Sequence, residues 1–276
     1  MVRIKIVGAC LLAACAMGIL AASSASAFVR EPPEIGRCIK HAGGHWKDGG
    51  CKTAAKVSSE QKFEWYPAYG EAENGETKLA EKVKATSVSK EGTLIQLTTV
   101  SGEGIGCKKQ VASVEATGPK TLKSFNIAFR ECAETGQKCT STNPVAGETG
   151  EIKVKELNGL IGIEKFGETH AKDKVANLFK PAVGEIFTEF QCGGIPVTVK
   201  GEVLNPLTAN SMKLSATVKF LASKGKQKPE KFATDPVGTK RVLEASKIIG
   251  GGFTQAGQSL TTIQTGEEKL EINTLI

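Results

Sequence analysis

Histidine and aromatic residues are scarce in this sequence. It contains three histidines, and aromatic residues make up 5% of the chain. A Ser/His/Asp triad needs a buried and oriented histidine, whereas His170 lies in a polar segment, Gly-Glu-Thr-His-Ala-Lys-Asp, that is typical of an exposed loop. The glycines at residues 250–252 lack the Lys-Ser/Thr that completes a P-loop. The sequence therefore predicts no catalytic residue and no cofactor.

Long apolar runs are also lacking, except at the N-terminus. A basic start precedes an almost unbroken apolar stretch at residues 6–22, and Ala25-Ser26-Ala27 follows it. This pattern predicts an export signal over residues 1–27, because the run is short for a membrane anchor and ends in a small-residue cleavage site. Leu-Ala-Ala-Cys at residues 12–15 also resembles a lipoprotein cleavage site, so lipidation of Cys15 is the alternative. We expect a secreted or cell-envelope protein with no integral membrane segment after cleavage.

No concentrated basic patch of the kind that binds nucleic acid is visible. The formal net charge of +7 falls to about +5 once Arg3 and Lys5 leave with the signal, and it is spread along the chain. This balance argues against a nucleic-acid partner. It leaves a cell-wall glycan or an anionic wall polymer as candidate partners. The lysine-rich residues 224–231 are the natural contact for such a polymer, with a solvated turn as the alternative.

Six cysteines remain when Cys10 and Cys15 are removed with the signal. They are Cys38, Cys51, Cys107, Cys132, Cys139 and Cys192. An even number in an exported chain predicts three disulfides. Short loop closure favours Cys38–Cys51. It also favours Cys132–Cys139, and elimination then leaves Cys107–Cys192.

From residue 93 onward the chain consists of short alternating segments broken by Gly and Pro. Residues 93–100 are rich in β-branched side chains, and Phe125, Ile127 and Phe129 alternate on one face. The one helical segment expected in this part covers residues 242–249. The pattern predicts an all-β fold, a sandwich or barrel of about ten or more short strands.

The predicted domain organisation has two parts after the signal. Residues 28–60 form a small disulfide-closed N-terminal extension, and residues 61–276 form the β-rich main domain. Within the main domain, two alternating segments flank Asn158-Gly159, a dipeptide preferred in type I′ turns because both positions tolerate positive φ. The sequence therefore predicts a tight hairpin there.

The N-terminal extension contains the clearest candidate metal site. Cys38, His41, His45 and Cys51 could supply two thiolates and two imidazoles to a tetrahedral zinc ion. The spacing differs from that of paired-ligand zinc knuckles, and an oxidising compartment favours a disulfide. We therefore predict no metal and keep this zinc site as the weaker alternative.

Four aromatic residues near the extension form a candidate sugar-binding platform. Trp46, Trp65, Tyr66 and Tyr69 could present flat apolar faces with polar edges to sugar rings. The alternative, which we favour, is that Trp65 and its neighbours close one end of the β core.

Several short motifs occur in the order typical of one protein family. They are Cys-Thr-Ser at 139–141, Gly-Glu-Thr-Gly-Glu-Ile at 147–152, Phe-Gln-Cys-Gly-Gly at 190–194, Gly-Lys-Gln-Lys-Pro-Glu-Lys-Phe at 225–232 and Glu-Ile-Asn at 271–273. With the loop from Cys38 to Cys51, they make the chain resemble an uncharacterised family of exported, β-rich, cysteine-containing proteins of soil actinobacteria. The resemblance implies export and a single β-rich unit, and it carries over no catalytic residue.

These observations favour a non-catalytic binding or structural module of the cell envelope or the extracellular space. The alternative is a secreted hydrolase that acts on polysaccharide with a pair of carboxylates, whose positions one sequence does not reveal.

Overall fold

The computed structural model describes residues 33–67, 83–143, 148–208, 210–247 and 252–274. The predicted export signal at residues 1–27 lies outside them. From Glu31 to Ile276 the chain forms one compact unit. Its helical content in the described residues is limited to two single 3-10 turns, Ser58–Glu60 and His170–Lys172.

The described residues form nineteen β-strands, all paired in antiparallel fashion. In chain order they are β1 (Glu34–Lys40), β2 (Phe63–Pro67), β3 (Lys84–Ser89), β4 (Ile95–Thr99), β5 (Gly104–Cys107), β6 (Lys109–Ala116), β7 (Thr121–Arg130), β8 (Ala133–Glu134), β9 (Gln137–Asn143), β10 (Ile152–Val154), β11 (Leu157–Lys165), β12 (Lys174–Pro181), β13 (Ile186–Cys192), β14 (Ile195–Gly201), β15 (Val203–Pro206), β16 (Lys213–Ser223), β17 (Lys226–Lys228), β18 (Leu243–Ser246) and β19 (Thr254–Asn273). The prediction of an all-β sandwich or barrel of many short strands is confirmed. The expected helix at 242–249 is wrong, because β18 occupies its centre.

Eight of these strands form a closed sheet, which we call sheet I. Pairing runs from β3 to β6, β7, β11, β12 and β15, and from β3 in the other direction to β19 and β16. The circuit closes where Leu207, just after β15, bridges Val218 of β16. Side chains alternate along each strand, so one set points into the interior that sheet I encloses and the other set points outward.

A second closed sheet, sheet II, is built in the same way. It runs through β4, β5, β8, β9, β13, β14 and β18 and returns to β4 through the first part of β19. The long strand β19 therefore belongs to both sheets. Phe187 and Phe190 of β13 belong to the same buried apolar cluster as Ile127 and Phe179 of sheet I, so the two sheets share one core.

The N-terminal extension is joined to the rest of the chain by strand pairing. Residues 34–36 of β1 pair with residues 271–273 at the end of β19, and the rest of β1 pairs with β2. The domain boundary between residues 60 and 61 stays a prediction. β1 belongs to the predicted extension and β19 to the predicted main domain, and the two strands are hydrogen-bonded to each other.

The predicted hairpin at Asn158-Gly159 is wrong, because β11 continues through both residues. The segments on either side pair with β7 instead of with each other. Gly159 lies opposite Phe179 of β12, and a Cβ atom on it would come within 2.7 Å of the Phe179 ring and 2.9 Å of Leu122. The glycine therefore provides room for an aromatic ring in the core and does not form a turn.

Two of the three predicted disulfide pairings are also wrong. The structure contains Cys38–Cys51 as predicted, together with Cys107–Cys132 and Cys139–Cys192. Cys139 lies directly opposite Cys192 in the pairing of β9 with β13, with the Cα atoms 4.1 Å apart. Gly106 lies opposite Ala133, which brings Cys107 and Cys132 to a Cα separation of 4.0 Å.

The reason is that four cysteines lie in a row across neighbouring strands. The Cys139 N–H also donates to the Cys132 carbonyl, so the order in the row is Cys107, Cys132, Cys139 and Cys192. A bond between the middle two would leave the outer two about three strand spacings apart, roughly 14 Å. That is about twice the Cα separation that a disulfide can bridge. Only pairing from each end of the row joins all four.

Within the described parts of the chain, no helix has the length and apolar character needed to cross a lipid bilayer.

Candidate functional site

The N-terminal loop is organised by its disulfide and by one carboxylate. Cys38 and Cys51 are bonded with their Cα atoms 5.6 Å apart. Between them, the Asp48 carboxylate accepts hydrogen bonds from the backbone N–H groups of Gly50 and Thr53. Burial raises the pKa of Asp48, but the hydrogen bonds together outweigh it and hold the pKa below its ordinary value. The loop is therefore a rigid turn with an ionised carboxylate at its centre.

The disulfide excludes the four-ligand zinc site. Both thiolates of Cys38 and Cys51 are consumed, so that alternative is wrong. The His45 ring instead contacts the Glu64 carboxylate, and His41 also has an interaction partner. In the regions that the structure describes, no group of three or more His, Cys, Asp or Glu residues is arranged to hold a metal ion.

The four aromatic residues of the predicted platform differ in exposure. Trp65 is only 8% exposed, and its ring packs so closely on Gly36 that a Cβ there would lie 2.7 Å away. Trp46 and Tyr66 are half-buried, and Tyr69 lies outside the described residues. Trp65 has no open face for a sugar. Within the described residues, the platform is therefore reduced to Trp46 and Tyr66, and sugar stacking by these two stays a prediction.

A polar cavity of about 140 Å³ near the end of β19 is lined by two buried carboxylates. The side chain of Asp173 is fully buried, and that of Glu271 is 4% exposed. Burial raises the pKa of Glu271, and the opposing effect of the Lys52 ammonium, 3.9 Å away, is smaller. Asp173 accepts a hydrogen bond from the Gly167 N–H at 2.7 Å. A pair of carboxyl groups at one site is what glycoside hydrolysis uses.

His170 lies beside this cavity and is half-buried, not in the fully exposed loop that its polar neighbours predict. Its Nδ1 atom is 3.1 Å from the Thr274 carbonyl oxygen and 4.0 Å from Asp173 Oδ2. Sequence reasoning named neither Asp173 nor Glu271, because the two are distant in the chain and belong to different strands and turns.

The outer surface of sheet I carries a second candidate site. Residues 203–229 contain no acidic residue, and their five lysines are Lys213, Lys219, Lys224, Lys226 and Lys228. Sequence reasoning singled out residues 224–231 and missed that β16 continues the same basic segment. The absence of Asp and Glu over this whole range is the signal that could have shown it.

Strand pairing brings four exposed lysines onto one face, which we call the lysine face: Lys90, Lys219, Lys226 and Lys228. Lys228 lies opposite Leu221, and Lys219 is two residues from Leu221 along β16, so all three point outward. One strand further on, Lys219 lies opposite Thr261 of β19. The Lys90 N–H donates to the Thr261 carbonyl, which adds Lys90 from the end of β3.

The hairpin that carries Lys226 and Lys228 is well defined. Lys224 and Gly225 connect β16 to β17 with φ values of 51° and 71°, so both central residues of the two-residue turn have the positive φ of a type I′ turn. Gly225 packs directly on Thr99, where a Cβ would lie 2.2 Å from the Thr99 carbonyl carbon. The hairpin is therefore held against sheet II.

The lysines of this face keep their charge uncompensated. None of them forms an ion pair with a residue in the described ranges, whereas Lys108 and Lys109 nearby both pair with Glu131. Neighbouring strands are about 4.8 Å apart, so Lys219 and Lys90, two strands apart, project roughly 10 Å from each other. Such a row can contact successive charges of an extended anion.

Comparison with protein-family models, with curated proteins and with solved structures found no match to this chain.

Proposed function

We propose that this protein is a non-catalytic binding module of the cell envelope or extracellular space, and that its lysine face binds an anionic polymer. The observation that supports this proposal is the row of exposed lysines that have no ion-pair partner in the described residues, three of which lie on β16 and β17, two strands without an acidic residue. Unpaired cations attract a polyanion and release its condensed counterions on binding. The three disulfides are compatible with an oxidising compartment.

Binding of inorganic polyphosphate, measured by titration at several salt concentrations, tests this proposal. We expect affinity to fall as salt rises. The double variant Lys226→Gln with Lys228→Gln should lower the slope of log affinity against log salt by about one for each lysine. The matched control, Lys40→Gln with Lys62→Gln, removes the same charge at the end of β1 and directly before β2 and should bind as the unaltered protein does. Equal losses in the two variants, or no binding of polyphosphate, would refute a role for this face.

The cavity of Asp173 and Glu271 supports a second candidate, a secreted hydrolase acting on polysaccharide. Both carboxylates line one polar cavity, and burial favours the protonated form of Glu271, which a general acid requires. Release of reducing ends from cell-wall polysaccharide should then be abolished by Glu271→Gln and by Asp173→Asn. If the unaltered protein releases none, this candidate is excluded.

A further inference from the structure

The inner face of sheet I contains a band of buried polar side chains. Each is at most 5% exposed, and together they come from six strands: Ser87, Gln110, Ser124, Asn177, Asn205 and Thr262. Apolar side chains, among them Ile127, Phe179 and Leu260, line the same face. We call this band the polar interior. An eight-stranded closed sheet has room for side chains that fill it or for one small ligand.

Several hydrogen-bonding atoms of the polar interior have no partner among the described residues. They are both amide atoms of Asn205, Oδ1 of Asn177, Oε1 of Gln110 and Oγ1 of Thr262. Asn177 and Asn205 lie directly opposite each other on β12 and β15. Buried polar atoms in folded proteins are almost always hydrogen-bonded, so four side chains converging with open positions indicate partners inside the sheet.

A buried amide elsewhere in the same protein shows the contrast. Gln227 is fully buried, and its Nε2 donates to the carbonyls of Leu221 at 2.9 Å and Gln258 at 3.3 Å. Its Oε1 accepts from the Gln258 N–H at 2.8 Å. Both amide atoms of Gln227 therefore have protein hydrogen-bond partners, whereas neither side-chain amide atom of Asn205 has one among the described residues.

Space for partners lies directly against these atoms. A cavity of about 80 Å³ is lined by Gln110, Asn205 and Thr262, and one of about 100 Å³ is lined by Asn177. Val114 and Gln264 belong to the walls of both, so the cavities are neighbours. About 10–15 Å³ is enough for one water, so either could hold several, or a small organic molecule in their place.

The walls of the smaller cavity indicate the chemistry of the occupant. No charged side chain lines the smaller cavity, and its apolar part includes Ile127, Phe179 and Leu260. The atoms without a partner include amide N–H and hydroxyl groups, which donate hydrogen bonds, and amide carbonyl oxygens, which accept them. The larger cavity is also lined by Lys213 and Leu214, which are both exposed, so it reaches the surface of the protein. Its wall contains the charged residues Glu115, Glu268 and Glu271 as well, so only the smaller cavity indicates an uncharged occupant.

We propose that the polar interior of sheet I is a binding site for a small uncharged molecule that both donates and accepts hydrogen bonds, such as a short polyol or a simple amide. Asn177 and Asn205 are its central hydrogen-bonding residues. The site is separate from the lysine face and does not depend on the binding of a polyanion.

Two leucine variants test this assignment by stability. Replacing an amide whose partners are not protein groups by an apolar side chain of similar shape removes no protein hydrogen bond. We therefore expect Asn205→Leu to unfold at the same temperature as the unaltered protein or a higher one. The control Gln227→Leu loses three hydrogen bonds and should unfold at a lower temperature. If both variants are destabilised alike, the polar interior is a structural network and the proposal is refuted.

Binding is followed by NMR of the side-chain amide signals of Asn177 and Asn205, with glycerol and acetamide as probes. We expect saturable shifts of these signals in the unaltered protein with at least one probe, and no saturable change at Asn177 in Asn205→Leu. Shifts that grow linearly with probe concentration would mean that the interior holds water alone, and a saturable response unchanged in Asn205→Leu would mean that Asn205 does not hold the probe. Either result would overturn the proposal. Failure of polyphosphate binding leaves this result unaffected.

Discussion

The single variant Cys139→Ala distinguishes the disulfide arrangement of the structure from the one that short loops favour. In the structure Cys139 is bonded to Cys192, so its removal should leave Cys192 as the free thiol. The short-loop pairing would leave Cys132 free instead. Alkylation of the oxidised variant followed by peptide mass mapping identifies the modified cysteine directly. Alanine is the appropriate replacement, because Cys139 is fully buried and a serine hydroxyl would be buried with it.

The loss of stability can be estimated from the length of the closed loop. Cys139 and Cys192 are 53 residues apart, which corresponds to about 4 kcal/mol in the chain-entropy account of a disulfide. The double variant Cys139→Ala with Cys192→Ala removes the bond without leaving a free thiol. Its free energy of unfolding, measured by urea titration under oxidising conditions, should fall by about that amount.

Two results would contradict this reasoning. Alkylation of Cys132 in the single variant would show that the middle cysteines of the row are bonded to each other. A loss well under about 1 kcal/mol in the double variant would mean that the bond does not restrict the unfolded chain as its loop length requires.

Three further predictions concern packing and charge. Gly159→Ala should destabilise the protein by about 1–3 kcal/mol, because the added Cβ would clash with the Phe179 ring. In a double-mutant cycle, the destabilisation should be smaller in a Phe179→Leu background. Equal destabilisation in both backgrounds would contradict the contact. Glu271→Gln should be more stable than the unaltered protein at neutral pH, because burial raises the pKa of Glu271 and the neutral form of this side chain favours folding. The difference in free energy of unfolding, measured by urea titration, should vanish as pH falls below 4.5. A difference that stays constant with pH would contradict this reasoning. Asp235→Asn should lower the free energy of unfolding by about 2 kcal/mol, because Asp235 accepts two hydrogen bonds from Arg241, 2.7 and 2.8 Å long, which hold its pKa below 3.8. That contribution is present above pH 3.8 and is lost as pH falls through the lowered pKa. The stabilities of the variant and the unaltered protein should therefore become equal in strong acid.

The sequence alone was sufficient for the features that depend on neighbouring residues. Alternation of apolar and polar side chains has the period of a strand wherever the strand is placed, so it identifies an all-β fold without any knowledge of pairing. The bond between Cys38 and Cys51 closes a loop of 13 residues, and nearness in the chain makes it the favoured partner.

The remaining features depend on which strands become neighbours, and only the tertiary structure decided those. Gly159 has the sequence of a turn, yet its role is to admit the Phe179 ring, which belongs to another strand. The turn of type I′ geometry occurs at Lys224-Gly225 instead, where the hairpin packs on Thr99.

The candidate sites follow the same rule. Asn177 and Asn205 lie opposite each other because β12 pairs with β15, and Asp173 and Glu271 line one cavity at the end of β19. Each residue in isolation is compatible with an exposed loop or an ordinary strand. Burial, and with it the need for a hydrogen-bond partner or a shifted pKa, arises only when the sheets close around them.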